Sequence, residues 1–229
     1  MGRPGPDPRP DLVNDERRPD MQSLTAEDAR SWIDRFTADV DDRFADLTDL
    51  DRRAGDGDYG TNLRSALRRA SANLEAGPTD SPEAVFTAVA NGFLNTGGTS
   101  GPLFGMWFRE FAKAFATATT AEAVATGATN AAAVVQRLGK AEVGHKTMVD
   151  AMVPAAEALT AAVEEGTDLP GALRSAATAA HEGAESTEEL LARRGRASYV
   201  GEHARGVIDP GALTVAWFFD AAVSVTAPA

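Results

Sequence analysis

Three aspartates offer the first chemistry in this chain: Asp51, Asp56 and Asp58, spaced i, i+5 and i+7 and interleaved with Gly55, Gly57 and Gly60. Glycine permits tight, positive-φ backbone turns, so short carboxylates on such a loop can converge. Converging hard oxygens suit a divalent cation, and magnesium commonly takes one or two carboxylates together with phosphate oxygens. An EF-hand does not fit, because no bidentate Glu stands at the twelfth position. The same residues also read as a solvated acidic turn ahead of a helix, since Asp and Gly are ordinary turn formers.

Three further segments carry polar groups at expected helix mouths. Thr96-Gly97-Gly98-Thr99-Ser100-Gly101-Pro102 places glycine amides and two hydroxyls at a helix N-terminus, which suits a phosphate. It is not a Walker A loop, because no Gly-Lys-Ser/Thr follows, and it also reads as a plain hydroxyl-capped turn. Gly144-His145-Lys146-Thr147-Met148-Val149-Asp150 offers Lys146 as a point charge for a phosphate, or as a solvated lysine beside a capped helix. Gly195-Arg196-Ala197-Ser198-Tyr199, followed by Gly206-Val207-Ile208-Asp209-Pro210-Gly211, is a long irregular stretch of the kind that carries function. In it Arg196 is a candidate for stabilising a transferring phosphoryl group, or else an ordinary solvated arginine. His145, His181 and His203 do not pair at metal-ligand spacing and read as surface or helix-end residues.

These loops need helices to hold them. Trp32, Ile33, Phe36, Val40, Phe44 and Leu47 keep to one face of a long helix, with Ser23 or Thr25 able to cap it, and that helix should run out into the loop at Leu50-Asp51. Further helices are expected at about 62–74, 81–95, 100–115, 120–126, 130–138, 147–164, 169–193 with a break near Gly183, and 211–225. Ser81-Pro82-Glu83 is a good helix start, and Gly97-Gly98 a good stop. No segment alternates with period two. The expectation is one all-α domain over residues 22–229, with roughly eight helices, behind a disordered, Pro- and charge-rich leader over 1–21.

Composition narrows the partners. A net charge of −12 repels nucleic acid and anionic membrane surfaces, and it repels a nucleotide polyphosphate unless divalent cations intervene. The chain has no cysteine, which removes disulfides, thiolate zinc sites and cysteine nucleophiles and fits a reducing cytoplasm, the expected location. No apolar run approaches the roughly 20 residues that span a bilayer.

Taken in order, Gly55-Asp56-Gly57-Asp58-Tyr59-Gly60, Gly97-Gly98-Thr99-Ser100-Gly101-Pro102-Leu103-Phe104-Gly105, Gly144 to Asp150, Gly195 to Tyr199 and Asp209-Pro210-Gly211-Ala212 resemble the ADP-binding (L) subunit of dihydroxyacetone kinase. Five ordered matches over about residues 25–225 are specific, although each alone is not. The resemblance implies a closed barrel of about eight antiparallel helices, with the nucleotide (ADP or ATP) and two magnesium ions bound in loops at one end. It implies Asp51, Asp56 and Asp58 as metal ligands, and Gly98, Thr99 and Ser100 near the phosphates. Met148 and the Asp209-Pro210-Gly211 loop would border the nucleoside, and Arg196 would face the transferring phosphoryl group. The implied activity is phosphorylation of dihydroxyacetone or a related small ketose, which sits on a separate K subunit. The donor would be exchangeable ATP, or an ADP recharged in place by a phosphotransferase-system protein. Two positions depart from the family's habit: Tyr59 stands where histidine is frequent, and His145 where aspartate is. Two other readings belong to other classes: a regulatory nucleotide-binding module, and the ATP-binding part of a fatty-acid-type kinase.

Overall fold

The computed structural model describes residues 23–199 and 201–226, so the leader expected over 1–21 lies outside the described residues. Among the described residues nine α-helices carry the fold, and no strand is present. In chain order they are α1 (Ala26–Asp42), α2 (Phe44–Ala54), α3 (Tyr59–Ala76), α4 (Pro82–Leu94), α5 (Ser100–Phe115), α6 (Ala121–Gly139), α7 (Val149–Glu164), α8 (Leu169–Ser186) and α9 (Pro210–Thr226). Short connections force neighbours to run antiparallel. From α3 onward each helix packs on the next; α9 then packs on α1, and α1 on α3 and α4, which closes an eight-helix barrel with the short α2 lying at one end.

Local chemistry explains several boundaries. Thr25 caps α1 by accepting the Asp28 N–H at 3.1 Å, while the Asp28 carboxylate accepts the Thr25 N–H at 3.0 Å, a reciprocal box. Ser81 accepts the Ala84 N–H at 3.1 Å, and Pro82 opens α4. The Leu24 N–H donates to the Thr119 carbonyl at 2.7 Å, tying the start of α1 to the turn between α5 and α6.

Four expectations need correction. The long first helix breaks at Arg43, whose ψ of 18° departs from the helix while its guanidinium lies 4.8 Å above the Trp217 ring. Asp51 consequently sits in the last turns of α2, not in the loop, which is only 55–58. The helices expected at 120–126 and 130–138 are one helix, α6. Gly127 is not a break: a Cβ there would lie 2.9 Å from Cδ1 of Phe111, so its bareness serves close packing. Gly183 likewise does not interrupt α8, which ends at Ser186 rather than near 193.

The barrel interior is a column of aromatic rings. Trp32 meets Phe218 at 4.5 Å between centroids, and Trp107 meets Phe218 at 4.6 Å, mostly in edge or tilted arrangements. Each such buried side chain contributes roughly 1.5–3 kcal/mol of transfer free energy. The buried indole N–H of Trp32 donates to the Phe218 carbonyl at 2.7 Å, so its one polar group is satisfied across the α1–α9 seam.

Candidate functional site

Because neighbours alternate direction, α3, α5, α7 and α9 all begin at one end of the barrel, where α2, α4, α6 and α8 finish. A cleft opens there, enclosing about 970 Å³ with solvent at its mouth included. Four helix N-termini therefore point at one cavity, each bringing amide donors and a positive dipole end. At the cleft end the N-cap residues Asp58, Thr99 and Met148 make no side-chain cap bond, while Asp209 accepts the Ala212 N–H at the start of α9. Three of the four helix mouths there therefore keep amide donors that a bound anion could take up.

The aspartates converge at one wall. One carboxylate oxygen from each of Asp51, Asp56 and Asp58 lies within 4.8 Å of the others, so the three could hold a divalent cation. Asp51 is buried and accepts the Tyr59 N–H at 2.9 Å. Burial first, and then the charges of Asp56 and Asp58, push the Asp51 carboxyl above its usual range, against the pull of the Tyr59 N–H. A cation among them would relieve that repulsion. Gly57 takes φ of 79° to turn the loop, and a Cβ on Gly55 would lie 2.4 Å from the Asp51 carboxylate. The glycines are thus demanded by the turn and by the carboxylate itself.

Gly98 (φ 85°), Thr99 and Ser100 line the adjoining wall at the mouth of α5. Met148, Asp209, Pro210 and Gly211 line the far side, with Leu103, Val135 and Val149 supplying an apolar floor. Arg196 reaches over the rim and places its Nε 3.3 Å from the Asp56 carboxylate. Every residue proposed from the sequence as a ligand or contact therefore borders one cleft.

One sequence expectation changes at this site, that for Lys146, and the two departures from the family's habit, Tyr59 and His145, find their places. Lys146 lines the cleft, but its ammonium turns away from it, donating to the Thr187 carbonyl and, at 2.6 Å, to the Val207 carbonyl. It is 1% exposed and is neither solvated nor aimed at a ligand. Tyr59 points its hydroxyl into the barrel, donating to Thr214 Oγ1 at 2.8 Å, and burial pushes that phenol far above its usual range. His145 accepts the Glu142 N–H at 3.1 Å through Nδ1 and does not line the cleft.

Two polar liners escaped the sequence reading. Asn62 sits one turn into α3, where its side chain faces Gly98, and its position four residues after Asp58 was the available signal. Arg194 lines the rim and donates to the Lys140 carbonyl at 2.8 Å. Nothing in its spacing distinguished it from its neighbour Arg193.

Comparisons with known proteins identify the family. The DAK2 domain matches residues 53–224. The PEP-dependent dihydroxyacetone kinase ADP-binding subunit DhaL of Escherichia coli is 36% identical over 197 residues, covering 84% of this chain and 93% of that protein. The L-erythrulose 1-kinase of Mycolicibacterium smegmatis is 36% identical over 194 residues, but the match covers only 34% of that longer protein. Among solved structures, the C. freundii dihydroxyacetone kinase in complex with AMP-PNP and Mg2+ superposes with a TM-score of 0.67 at 28% identity, covering 89% of this chain and 34% of that one. With its helical barrel, its acidic loop and its match along most of the sequence, the chain belongs to the DAK2 domain family, alongside the ADP-binding subunits of dihydroxyacetone kinases.

Proposed function

We propose that this chain is the nucleotide-binding, phosphoryl-transferring subunit of a kinase for dihydroxyacetone or a related small ketose. One observation carries the reading: three convergent aspartates and four helix N-termini meet at a single cleft with an apolar floor. That combination offers carboxylates for magnesium, amides for phosphates and an apolar slot for a nucleobase.

In this reading Asp51, Asp56 and Asp58 hold two magnesium ions, and Asp51 is pre-oriented by the Tyr59 N–H. Bound there, magnesium neutralises the charge that builds on the phosphate oxygens during transfer. Gly98, Thr99 and Ser100 face the phosphates of ADP or ATP. Met148 and the Asp209-Pro210-Gly211 turn border the nucleoside. Arg196, whose Nε lies 3.3 Å from the Asp56 carboxylate at the rim, meets the transferring phosphoryl group.

A ketose-binding K subunit supplies the acceptor hydroxyl. The apolar rim supports a docking partner at this end. Among the described residues the exposed large hydrophobic side chains are Leu138, Val143, Leu191 and Tyr199, and all belong to segments around the cleft. The donor is either exchangeable ATP or a phosphotransferase-system protein that recharges bound ADP. Mass spectrometry of the nucleotide released on denaturation separates the two: stoichiometric ADP surviving dialysis with magnesium points to recharging in place, and an empty site that takes up magnesium-ATP points to turnover of ATP.

Asp56→Ala and Asp58→Ala should each weaken magnesium-nucleotide binding by roughly a hundredfold, since each removes several kcal/mol of charge stabilisation. Calorimetric titration with magnesium-ADP reads this directly. Undiminished affinity in both variants would sink the proposal.

A further inference from the structure

The segment between α8 and α9 is irregular over Thr187 to Asp209, apart from short 3-10 turns, and it carries Arg196 near its middle. Its two ends are drawn together at a narrow neck. The Gly206 N–H donates to the Glu188 carbonyl at 2.8 Å, and the Asp209 N–H donates to Thr187 Oγ1 at 2.8 Å. At that same neck the Lys146 ammonium donates to one carbonyl on each side, those of Thr187 and Val207. Lys146 comes from a different element, the turn before α7, so it pins both ends of the loop to the barrel at once. The backbone around it is built for this. Lys146 takes φ of 58°, a left-handed conformation that non-glycine residues rarely adopt, and the Asp150 carboxylate holds the turn by accepting the Gly144 and Thr147 N–H groups.

We propose that Lys146 is a positioning residue: it fastens the neck of the 187–209 loop and so sets where Arg196 stands over Asp56 and the cleft. Beyond the neck the loop is also held on α2, where Ala204 and Val207 are buried with Ala54 beside Leu50 and Ala197, and where Arg53 donates to the Gly206 carbonyl at 3.3 Å. The limb that carries Arg196 is tied by the Arg193 N–H to the His145 carbonyl, by Arg194 to the Lys140 carbonyl and by the exposed Arg196–Asp56 pair. An exposed ion pair holds little by itself. The neck is where both ends of the loop are held to the barrel at once, so the position of the limb that carries Arg196 depends on it. The fastening stands on geometry alone; its consequence for turnover rests on the proposed kinase function.

Limited trypsinolysis tests the fastening without any partner, because Arg193, Arg194, Arg196 and Arg205 all lie in the loop. Lys146→Met leaves two interior carbonyls without their donor, so cleavage in the loop should speed up by about tenfold or more. Lys113→Met, which removes an exposed lysine on α5 at the opposite end, should change nothing. With the coexpressed ketose-binding subunit, Lys146→Met should lower kcat by about tenfold, while the Kd for magnesium-ADP moves by less than about threefold. The chain has no cysteine, so Lys146→Cys treated with 2-bromoethylamine is alkylated there alone, the thiolate displacing bromide to rebuild a lysine-length ammonium. That treatment should restore both loop protection and rate, which a merely space-filling role would not require.

A loop still protected in Lys146→Met, with kcat unchanged, overturns the proposal. So does loss of magnesium-ADP affinity without loop opening, which would make Lys146 a direct ligand contact. If Lys146→Met does not fold, Lys146→Gln carries the same trypsin test, and unchanged protection in it is equally fatal. Failure of the wild-type chain to bind magnesium-ADP would instead remove the nucleotide reading and leave the loop result standing.

Discussion

Asp209 caps α9 by accepting the Ala212 N–H at 2.8 Å, and that task sits uneasily with its surroundings. Burial foremost, then the charge of Asp150, pushes its carboxyl up to about 7, while the Ala212 N–H and Lys146 pull it down. In the unfolded chain the same group titrates near 3.8. Between those values the folded chain keeps a proton that the unfolded chain has released, so ligand-free stability falls as pH rises from about 4 to about 7. Asp209→Asn keeps an acceptor for the cap and removes the titration. Thermal denaturation at about pH 5 and about pH 8 should show a smaller loss of Tm in the variant, and equal losses would contradict the assignment. At this scale the sequence was legible where residue type and spacing sufficed, as in the Asp51, Asp56 and Asp58 convergence. It was not legible where a side chain's direction depends on distant backbone. Lys146 looks available for a phosphate until the Thr187 and Val207 carbonyls are seen, and nothing near Tyr59 in the sequence shows that its hydroxyl meets Thr214.

Helices read from periodicity were mostly found where expected, because capping at Thr25 and Ser81 and the apolar stripes are local signals. Glycines misled. Gly127 and Gly183 look like punctuation, yet each lies inside an unbroken helix where a neighbouring helix comes close. The neighbour is far away in sequence, so the packing purpose is invisible there. A Cβ on Gly183 would lie 2.1 Å from the Asp150 carbonyl oxygen and 3.0 Å from Ala151 Cα, both backbone atoms that cannot rotate away. Gly183→Ala should therefore force α7 and α8 apart and cost about 1–3 kcal/mol or more. Because Asp150 holds the turn that carries Lys146, loosening of the α7 mouth should accompany it. Urea denaturation measures the first effect, and a midpoint equal to wild type would refute the close contact. The break at Arg43 is the converse case, a helix end without glycine or proline, placed where the guanidinium covers Trp217.

Closure of the barrel depends on the α1–α9 seam, where the first and last helices meet through Trp32 and Phe218. Phe218→Ala empties the centre of the aromatic column and should cost about 3–5 kcal/mol, read from the shift in urea midpoint; a shift near zero would mean the column is not what closes the ring. The architecture has another consequence. α1 starts, and α9 ends, at the pole away from the cleft, with the start of α1 tied to the turn before α6. The first and last described helices therefore have their outer ends at the back of the barrel, away from the mouth of the cleft. The match spans 93% of the Escherichia coli relative and 34% of the Mycolicibacterium relative, so the same domain occurs both nearly alone and within a longer chain. In engineering terms, a fusion partner joined at the outer end of α1 or α9 starts from the pole opposite the cleft, and the tether's length can set how often the cleft meets its partner without altering any residue inside it.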